Sequence, residues 1–270
     1  MKRIAIHSVP RSGSSWLGSI FDSSPHVAYR LQPLFSYTHK GQIGEQANLY
    51  EINAFFADIY NTEDEFVLQR DSKLRGIIPR FEKDEISHIL YKEVRYHNVL
   101  KNLLEKDKEL KVIGLIRNPF SVISSWLKAP KEFKKELGWV VDEEWRWAPK
   151  KNKGKVEEFN GFEKWKEVVF LFLKLKQKFP EQFYLLEYED LISNKKVQIE
   201  KLFSFSDLEI HEQTLGFLEN SSKKNDKDAY SVFKIKKHDE DWKEELPKNI
   251  IEDIKGDKEY QILNEKFQWT

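Results

Sequence analysis

The sequence predicts an α/β fold in which a central parallel β-sheet is flanked by helices. Short apolar segments such as 2–8 and 110–116 alternate along the chain with segments of helical periodicity such as 14–21. This alternation is typical of parallel sheets whose strands are joined by crossover helices. Hydrophobic residues make up 40% of the 270 residues and aromatic residues 14%, which is enough for the core of one domain over 1–270.

Four elements are predicted in the first sixty residues. Residues 2–8 form the first strand, and a helix over 14–21 follows a turn of small polar residues. A second strand begins near Val27, after a helix-breaking segment that ends in Pro25, and another helix is expected over 45–60. The apolar stripe of the first helix recurs at helical spacing and consists of Trp16, Leu17, Ile20 and Phe21.

The middle of the chain continues the alternation. A strand is expected over 86–94, a helix over 99–106 and a strongly apolar strand over 110–116. A helix over 118–127 follows, because its Asn-Pro pair is favourable at an N-cap and at the first helical position.

The C-terminal half is less regular. Residues 128–155 show no clean period, and we expect them to form a mobile insert. A long helix is predicted over 157–178, because Pro180 cannot continue it, and a strand with a turn follows over 183–191. The rest of the chain is expected to be mostly helix and loop.

The composition excludes several classes of protein. Lys plus Arg and Asp plus Glu both number 45, so the basic excess of a nucleic-acid-binding protein is missing. The chain has no cysteine, which excludes disulfides, thiolate catalysis and cysteine-ligated zinc. The longest apolar run, 168–173, is far shorter than the roughly 20 residues of a transmembrane helix, and no signal peptide is apparent. We therefore expect a cytoplasmic protein without a transmembrane segment; the sequence leaves its oligomeric state open.

A turn rich in serine, PRSGSSW at 10–16, follows the first predicted strand. A helix start offers backbone N–H groups and a partial positive charge to an anion, and serine hydroxyls add donors. Arg11 adds a guanidinium, a cation with a forked set of N–H donors, and Gly13 lets the backbone approach a ligand closely. The lysine of the G-x-x-x-x-G-K-[ST] nucleotide-binding loop is absent. The turn therefore predicts a phosphate site, with a serine-capped helix start as the alternative.

A second polar turn follows the predicted strand over 110–116. Arg117 leaves this strand, and Ser121 and Ser125 lie four residues apart, on one face of the next helix. Two anion sites at the carboxyl ends of two strands indicate a ligand with two separated phosphates. The alternative is that Arg117 caps the helix or forms an ion pair at the surface.

Together these segments resemble the sulfotransferase family, most closely its carbohydrate and bacterial members. The family's first motif, P-[KR]-[ST]-G-[ST]-[ST]-[WF], is matched by PRSGSSW, and its second places an arginine and a serine eight residues apart, as Arg117 and Ser125 are. The resemblance implies a three-layer fold similar to that of P-loop NTPases. It further implies that a sulfuryl group moves from PAPS (3′-phosphoadenosine 5′-phosphosulfate) to a hydroxyl, expected to be that of a carbohydrate or glycoconjugate.

The resemblance also implies which residues bind the nucleotide. The first loop would hold the phosphosulfate, Trp16 would stack on adenine, and Arg117 with Ser125 would hold the 3′-phosphate. The segment 233–243 resembles the family's C-terminal nucleotide loop, although its expected arginine and glycines are missing. The expected nucleotide-binding residues are Arg11, Ser12, Gly13, Ser14, Ser15, Trp16, Arg117, Ser125, Phe233 and Lys236.

Catalysis requires a cation at the leaving oxygen and a base for the acceptor proton. Arg11 and Lys92 are the expected cations, Lys92 through its family position. Many relatives carry a glutamate base where this chain has Gln32, which cannot accept a proton. The candidate bases are therefore Glu93, His97 and, less favoured, His39, and no metal is expected.

Two alternative functions and one question about the tryptophan-rich segment stay open at this stage. An ATP-dependent kinase would need Mg²⁺, and a non-catalytic PAPS-binding protein would keep the fold without transfer. The segment 138–147 carries three tryptophans, which either stack on sugar rings of a glycan or pack the insert against the body.

Overall fold

The computed structural model describes residues 1–223, 231–233 and 238–269. Its centre is a five-stranded parallel sheet with the strand order β2-β3-β1-β4-β5. The strand next to β1 on each side is distant in sequence, as crossover connections require. The predicted α/β fold with a parallel sheet is therefore confirmed. The strands are β1 (Lys2–His7), β2 (Val27–Leu31), β3 (His88–Glu93), β4 (Lys111–Ile116) and β5 (Phe183–Glu187).

Helices cover both faces of this sheet. In the first half of the chain they are α1 (Ser14–Asp22), α2 (Leu49–Tyr60), α3 (Arg70–Leu74), α4 (Leu100–Lys106) and α5 (Pro119–Leu127). The middle of the chain adds α6 (Val141–Glu144), α7 (Pro149–Asn152), α8 (Phe162–Lys178), α9 (Tyr188–Ser193) and α10 (Lys195–Phe205). The C-terminal part adds α11 (Glu212–Lys223), α12 (Trp242–Glu245), α13 (Lys248–Gly256) and α14 (Lys258–Phe267).

Two hydrophobic clusters cover the two faces of the sheet. Along β1, Ala5 belongs to one cluster, whereas its neighbours Ile4 and Ile6 belong to the other. Successive strand residues point to opposite faces, so each face of β1 is buried by its own layer of helices. The result is a three-layer molecule with the strand ends free to carry a site.

Two predicted helices begin later than the sequence suggested. The helix expected from 45 begins at Leu49, because Asn48 and Glu51 form a reciprocal capping box there. The helix expected from 157 begins at Phe162, after Gly161. Gly161 has φ +84°, and a Cβ there would lie 2.8 Å from the Arg146 carbonyl oxygen, so this turn needs glycine.

The segment 128–155 contains short helices that pack against the body. Phe133, Trp145 and Ala148 are buried in the core cluster. Trp147 is 63% exposed and Trp139 is partly buried. The packing interpretation of the three tryptophans therefore holds for Trp145 and not for Trp147.

Over the described ranges, we find no helix with both the length and the apolar surface needed to cross a membrane.

Candidate active site

A cavity of about 500 Å³ lies at the carboxyl ends of β1, β3 and β4. Parallel strands end at the same edge of their sheet, which brings the two polar turns into one wall. Of the sequence-predicted site residues, those lining the cavity are Arg11, Gly13, Ser14, Ser15, Trp16, Lys92, Arg117 and Ser125. Ser12, Glu93, His97 and Phe233 are outside this lining, and Lys236 lies outside the described residues.

The first loop has a left-handed backbone at two positions. Arg11 has φ +71° and Gly13 has φ +89°. A Cβ on Gly13 would lie 2.4 Å from the Tyr188 ring, so the loop depends on glycine for both its conformation and its packing. Gly13 is the N-cap of α1 and has no side chain to satisfy the first N–H groups of the helix, which are donors for an anion.

The serines of this loop differ in their surroundings. Ser14 and Ser15 line the cavity. Ser12 is fully buried, and its Oγ has no hydrogen-bond partner among the described residues. A buried hydroxyl without a partner is costly. Ser12 Oγ is therefore available as a hydrogen-bond donor within the first loop.

Trp16 begins the apolar stripe of α1 and lines the cavity. Its Nε1 donates to Ser221 Oγ at 3.2 Å, which orients the indole. The Lys195 ammonium lies 5.9 Å from the centre of its ring. The indole is half-buried, so it presents aromatic surface to the cavity.

Arg117 is the first residue after β4, and three groups contact its side chain. Its Nε donates to Asp239 Oδ2 at 2.7 Å and its Nη2 donates to Asp239 Oδ1. Its Nη1 donates to the Arg11 carbonyl oxygen at 2.6 Å, and the guanidinium lies 4.6 Å from the centre of the Tyr188 ring. The surface ion pair considered from the sequence is thus a buried one, formed inside the cavity wall.

Ser125 joins the two loops, and Ser121 joins α5 to the C-terminal segment. Ser125 Oγ accepts a hydrogen bond of 3.1 Å from Arg11 Nε, across the two loops. Ser121 Oγ donates to the Asp239 carbonyl oxygen at 3.1 Å. The arginine and the serine expected to share one phosphate therefore face the same cavity but contact different protein groups.

Lys92 is a second buried cation of the cavity, beside Arg117. It is next to last in β3 and only 3% exposed. Burial lowers the pKa of its ammonium to about 8, against the opposing attraction of Glu93. A buried lysine with a pKa near neutrality is a group that can lose or keep its charge during a reaction.

Glu93 lies behind the cavity wall. Its Oε1 accepts the Leu34 N–H at 2.8 Å, and burial raises the pKa of its carboxyl to about 8. At neutral pH such a carboxyl is mostly protonated, and a protonated carboxyl cannot accept a proton from a substrate.

The two candidate histidines also lie away from the cavity lining. His97 Nδ1 lies 3.0 Å from His7 Nδ1, and burial holds the pKa of His97 well below its usual range. His39 is buried between Gln42 and Thr62, with hydrogen bonds of 2.9 and 2.8 Å. Their assignment as bases stays a prediction.

Gln32 lines the cavity in place of the glutamate expected from relatives. It has φ +41°, and its Oε1 accepts a hydrogen bond of 3.0 Å from Arg95. Arg95 is in turn fixed by the carboxylate of Glu158. The amide is therefore held in place and can orient a hydroxyl.

Sequence reasoning missed several residues of the site. Tyr188 follows β5, in a segment without a phosphate-binding pattern, yet its ring contacts both Gly13 and Arg117. Asp239 lies in the segment 233–243 but was not among its predicted nucleotide-binding residues, and Glu132 belongs to no motif. Phe233 is half-buried near Phe217, at a ring distance of 6.3 Å.

No group of three or more histidine, aspartate and glutamate side chains in the described part of the chain could hold a metal ion.

Comparisons with known proteins give a family and a fold. A family model described as a sulfotransferase domain matches residues 1–262. The sulfotransferase domain of the Synechococcus PCC 7002 olefin synthase has a TM-score of 0.57 at 15% identity, covering 99% of this chain and 94% of that one. No curated protein matches the chain in sequence.

Two further solved structures contain PAP, adenosine 3′,5′-bisphosphate. A mouse sulfotransferase complexed with PAP has a TM-score of 0.54 at 14% identity, covering 100% of this chain and 85% of that one. A retinol dehydratase in complex with retinol and PAP has a TM-score of 0.55 at 15% identity, covering 98% and 81%. At such identities the likeness to these structures shows the fold.

Proposed function

Because the chain belongs to the sulfotransferase family, we propose that it transfers the sulfuryl group of PAPS to a hydroxyl of a carbohydrate or glycoconjugate. One observation carries this proposal: the cavity is lined by the first loop and by five cationic residues, among them Arg11, Lys92 and Arg117. A donor with a phosphosulfate and a separate 3′-phosphate requires positive charge at two places.

In the proposed binding mode the first loop holds the phosphosulfate. The N–H groups at the start of α1 and the hydroxyls of Ser14 and Ser15 supply donors. Trp16 stacks on the adenine. Arg117 and Ser125 hold the 3′-phosphate, and this requires Arg117 to exchange the Asp239 carboxylate for the phosphate.

Transfer proceeds as an in-line displacement at sulfur. The acceptor oxygen forms the new bond to sulfur, and the bond from sulfur to the bridging oxygen breaks, leaving its electron pair on PAP. Negative charge grows on that bridging oxygen, and Arg11 and Lys92 are the cations proposed to stabilise it.

The polarity of the cavity supports a sugar as acceptor. Gln32 and Glu132 line it with an amide and a carboxylate, which can bond the several hydroxyls of a carbohydrate. An apolar alcohol would form fewer hydrogen bonds with these groups than a carbohydrate. The exposed Trp147 offers a ring for stacking outside the cavity.

The first test is thermal unfolding with PAP, adenosine 5′-phosphate and ATP–Mg²⁺ in parallel. A ligand at 100 times its Kd adds about 2.7 kcal/mol to the free energy of unfolding. We expect PAP to stabilise the protein most. Equal stabilisation by ATP–Mg²⁺ would contradict the proposal and favour a kinase, whereas PAP binding without transfer to any sugar would favour a non-catalytic protein.

A further inference from the structure

We propose that Glu132 is the general base that takes the proton of the acceptor hydroxyl. This inference rests on the proposed sulfuryl transfer. It supplies a general base, because the amide of Gln32, at the position where many relatives carry a glutamate, cannot accept a proton. Glu132 lies in the segment after α5, which carried no motif in the sequence. Glu132 lines the cavity that also contains Arg11 and Lys92.

The other acidic side chains in the cavity wall are occupied elsewhere. Within the described ranges, the lining contains three carboxylates and no histidine. Glu245 accepts a hydrogen bond of 2.8 Å from Ser124 and pairs with Lys128. Asp241 acts electrostatically on Arg117 and Tyr188, at the end of the cavity proposed for the 3′-phosphate. Glu245 thus uses both of its carboxylate oxygens, whereas the Lys151 ion pair of Glu132 uses only Oε2.

Glu132 is near the group proposed to act at sulfur. Its charge favours the ammonium form of Lys92, so the two side chains interact across the cavity. The positive charge of Arg11 disfavours the same ammonium and lowers the pKa of Lys92. A base must lie on the acceptor side of the sulfur, while the cations lie on the leaving side. Glu132 and Lys92 line the same cavity, and the proposal puts Glu132 on the acceptor side of the sulfur.

The Glu132 side chain is held in place rather than mobile in solvent. The Glu132 N–H donates to the Ala129 carbonyl oxygen at 2.9 Å, which closes the turn after α5. Lys151 Nζ donates to Glu132 Oε2 at 2.7 Å, and the two side chains are only 16% and 21% exposed. This bond uses one oxygen, and a carboxylate keeps acceptor capacity on the other.

The proposed step is balanced. The acceptor O–H proton moves to the Glu132 carboxylate as the acceptor oxygen bonds to sulfur. The bond between sulfur and the bridging oxygen breaks, and PAP leaves with the electron pair. Glu132 then releases its proton to solvent, and the carboxylate is restored.

The experiment needs no knowledge of the natural acceptor, because water is also a hydroxyl donor. PAP release from PAPS in buffer measures transfer to water, and PAP binding is measured separately by thermal unfolding. We expect Glu132→Gln to slow PAP release at least about 100-fold, the lower range for loss of a general base, with PAP binding unchanged. The matched control is Glu136→Gln, an exposed glutamate of the same segment, which should hydrolyse PAPS at the wild-type rate.

A second variant tests whether Glu132 acts as a base or only anchors its segment through the ion pair with Lys151. Lys151→Met removes the partner of Glu132 and leaves its carboxylate. A base predicts that Lys151→Met keeps most of the activity, whereas an anchoring role predicts equal losses in both variants. Glu132→Asp, which keeps the carboxylate on a shorter chain, should recover part of the rate.

The outcomes separate this inference from the proposed function. If the wild-type protein does not bind PAP, the proposed function fails first. If it binds PAP and hydrolyses PAPS but Glu132→Gln does so equally fast, the role of Glu132 is wrong and the sulfotransferase stands. A wild-type protein that binds PAPS without accelerating its hydrolysis also contradicts a base in contact with water beside the sulfur.

Discussion

Arg117 and Asp239 form a buried, two-pronged ion pair across 122 residues of sequence. The Asp239 carboxylate presents two oxygens to the guanidinium, as a phosphate would. Its backbone carbonyl is held by Ser121, from the helix that follows Arg117. The C-terminal segment thus places a negative charge on the arginine proposed to bind the 3′-phosphate.

Asp239→Asn should increase the affinity for PAP. The amide keeps the shape of the side chain and one acceptor oxygen but removes the charge that competes with the 3′-phosphate. A charge-assisted contact is worth roughly 1.5–3 kcal/mol, so we expect PAP to bind on the order of 10-fold more tightly by titration calorimetry. Adenosine 5′-phosphate should bind as it does to the wild type.

The control for this change is Asp253→Asn, an exposed aspartate of α13, which should leave both affinities unchanged. Weaker PAP binding in Asp239→Asn would mean that Asp239 supports the nucleotide site instead of competing for it.

Arg117→Ala should remove the preference for the 3′-phosphate. We expect PAP binding to weaken by roughly 1.5–3 kcal/mol and adenosine 5′-phosphate binding to change little. Because Asp239 would be left buried without its partner, the double variant with Asp239→Asn is measured as well, to keep the fold stable. Equal losses for both nucleotides would contradict the assignment of Arg117.

Gly13→Ala should destabilise the protein and abolish PAP binding. The residue has φ +89°, and a Cβ there would lie 2.4 Å from the Tyr188 ring. The strained backbone and the overpacking together should lower the free energy of unfolding by roughly 2–5 kcal/mol, measured in urea.

Gly41→Ala is the matched control, because Gly41 has φ +77° and open space around it. It carries the backbone strain alone, about 1–2 kcal/mol. Equal destabilisation by the two substitutions would show that the contact with Tyr188 is not tight.

The rate of sulfuryl transfer should fall as pH rises through about 8. Burial lowers the pKa of Lys92 to about 8, so its ammonium is present below this pH and lost above it. The ionisable groups that act on it are Glu93, Arg95, Glu132 and Arg11. PAP release from PAPS, followed against pH, measures the fall.

Lys92→Arg is the variant that tests this assignment, since a guanidinium keeps its charge above pH 8. The fall should move to higher pH or disappear in Lys92→Arg and should persist in Glu93→Gln. An unchanged pH profile in Lys92→Arg would assign the titration to another group.

Glu93→Gln should stabilise the protein at high pH and not at low pH. Burial raises the pKa of Glu93 from its usual 4.5 to about 8. Between these values the unfolded chain has lost the proton and the folded protein keeps it, so stability falls as pH rises, by at most about 1.4 kcal/mol per pH unit. Glutamine cannot ionise and still accepts the Leu34 N–H.

Urea unfolding at pH 5 and pH 8 measures this difference. The two proteins should be similarly stable at pH 5, and the glutamine variant should be the more stable at pH 8. Glu109→Gln, an exposed change, should show no such trend. Parallel pH curves for wild type and Glu93→Gln would mean that Glu93 is ionised in the folded protein.

The strands, most helices and both polar loops of the cavity could be predicted from the order of residues. Each of these features depends on residues that are close in sequence. They are the period of the apolar residues, the Asn-Pro pair at the start of α5, and the small residues around Gly13. Parallel pairing then brings the ends of β1 and β4 together, so the approach of the two loops was predictable as well.

Contacts between distant residues could not be read in this way. The pairing of Arg117 with Asp239 and the placing of Glu132 beside Lys92 depend on how the C-terminal segment and the insert pack against the sheet. The burial that raises the pKa of Glu93 likewise exists only in the packed molecule. Local preference specifies the elements, whereas desolvation and charge pairing between remote side chains arise only when the chain has folded.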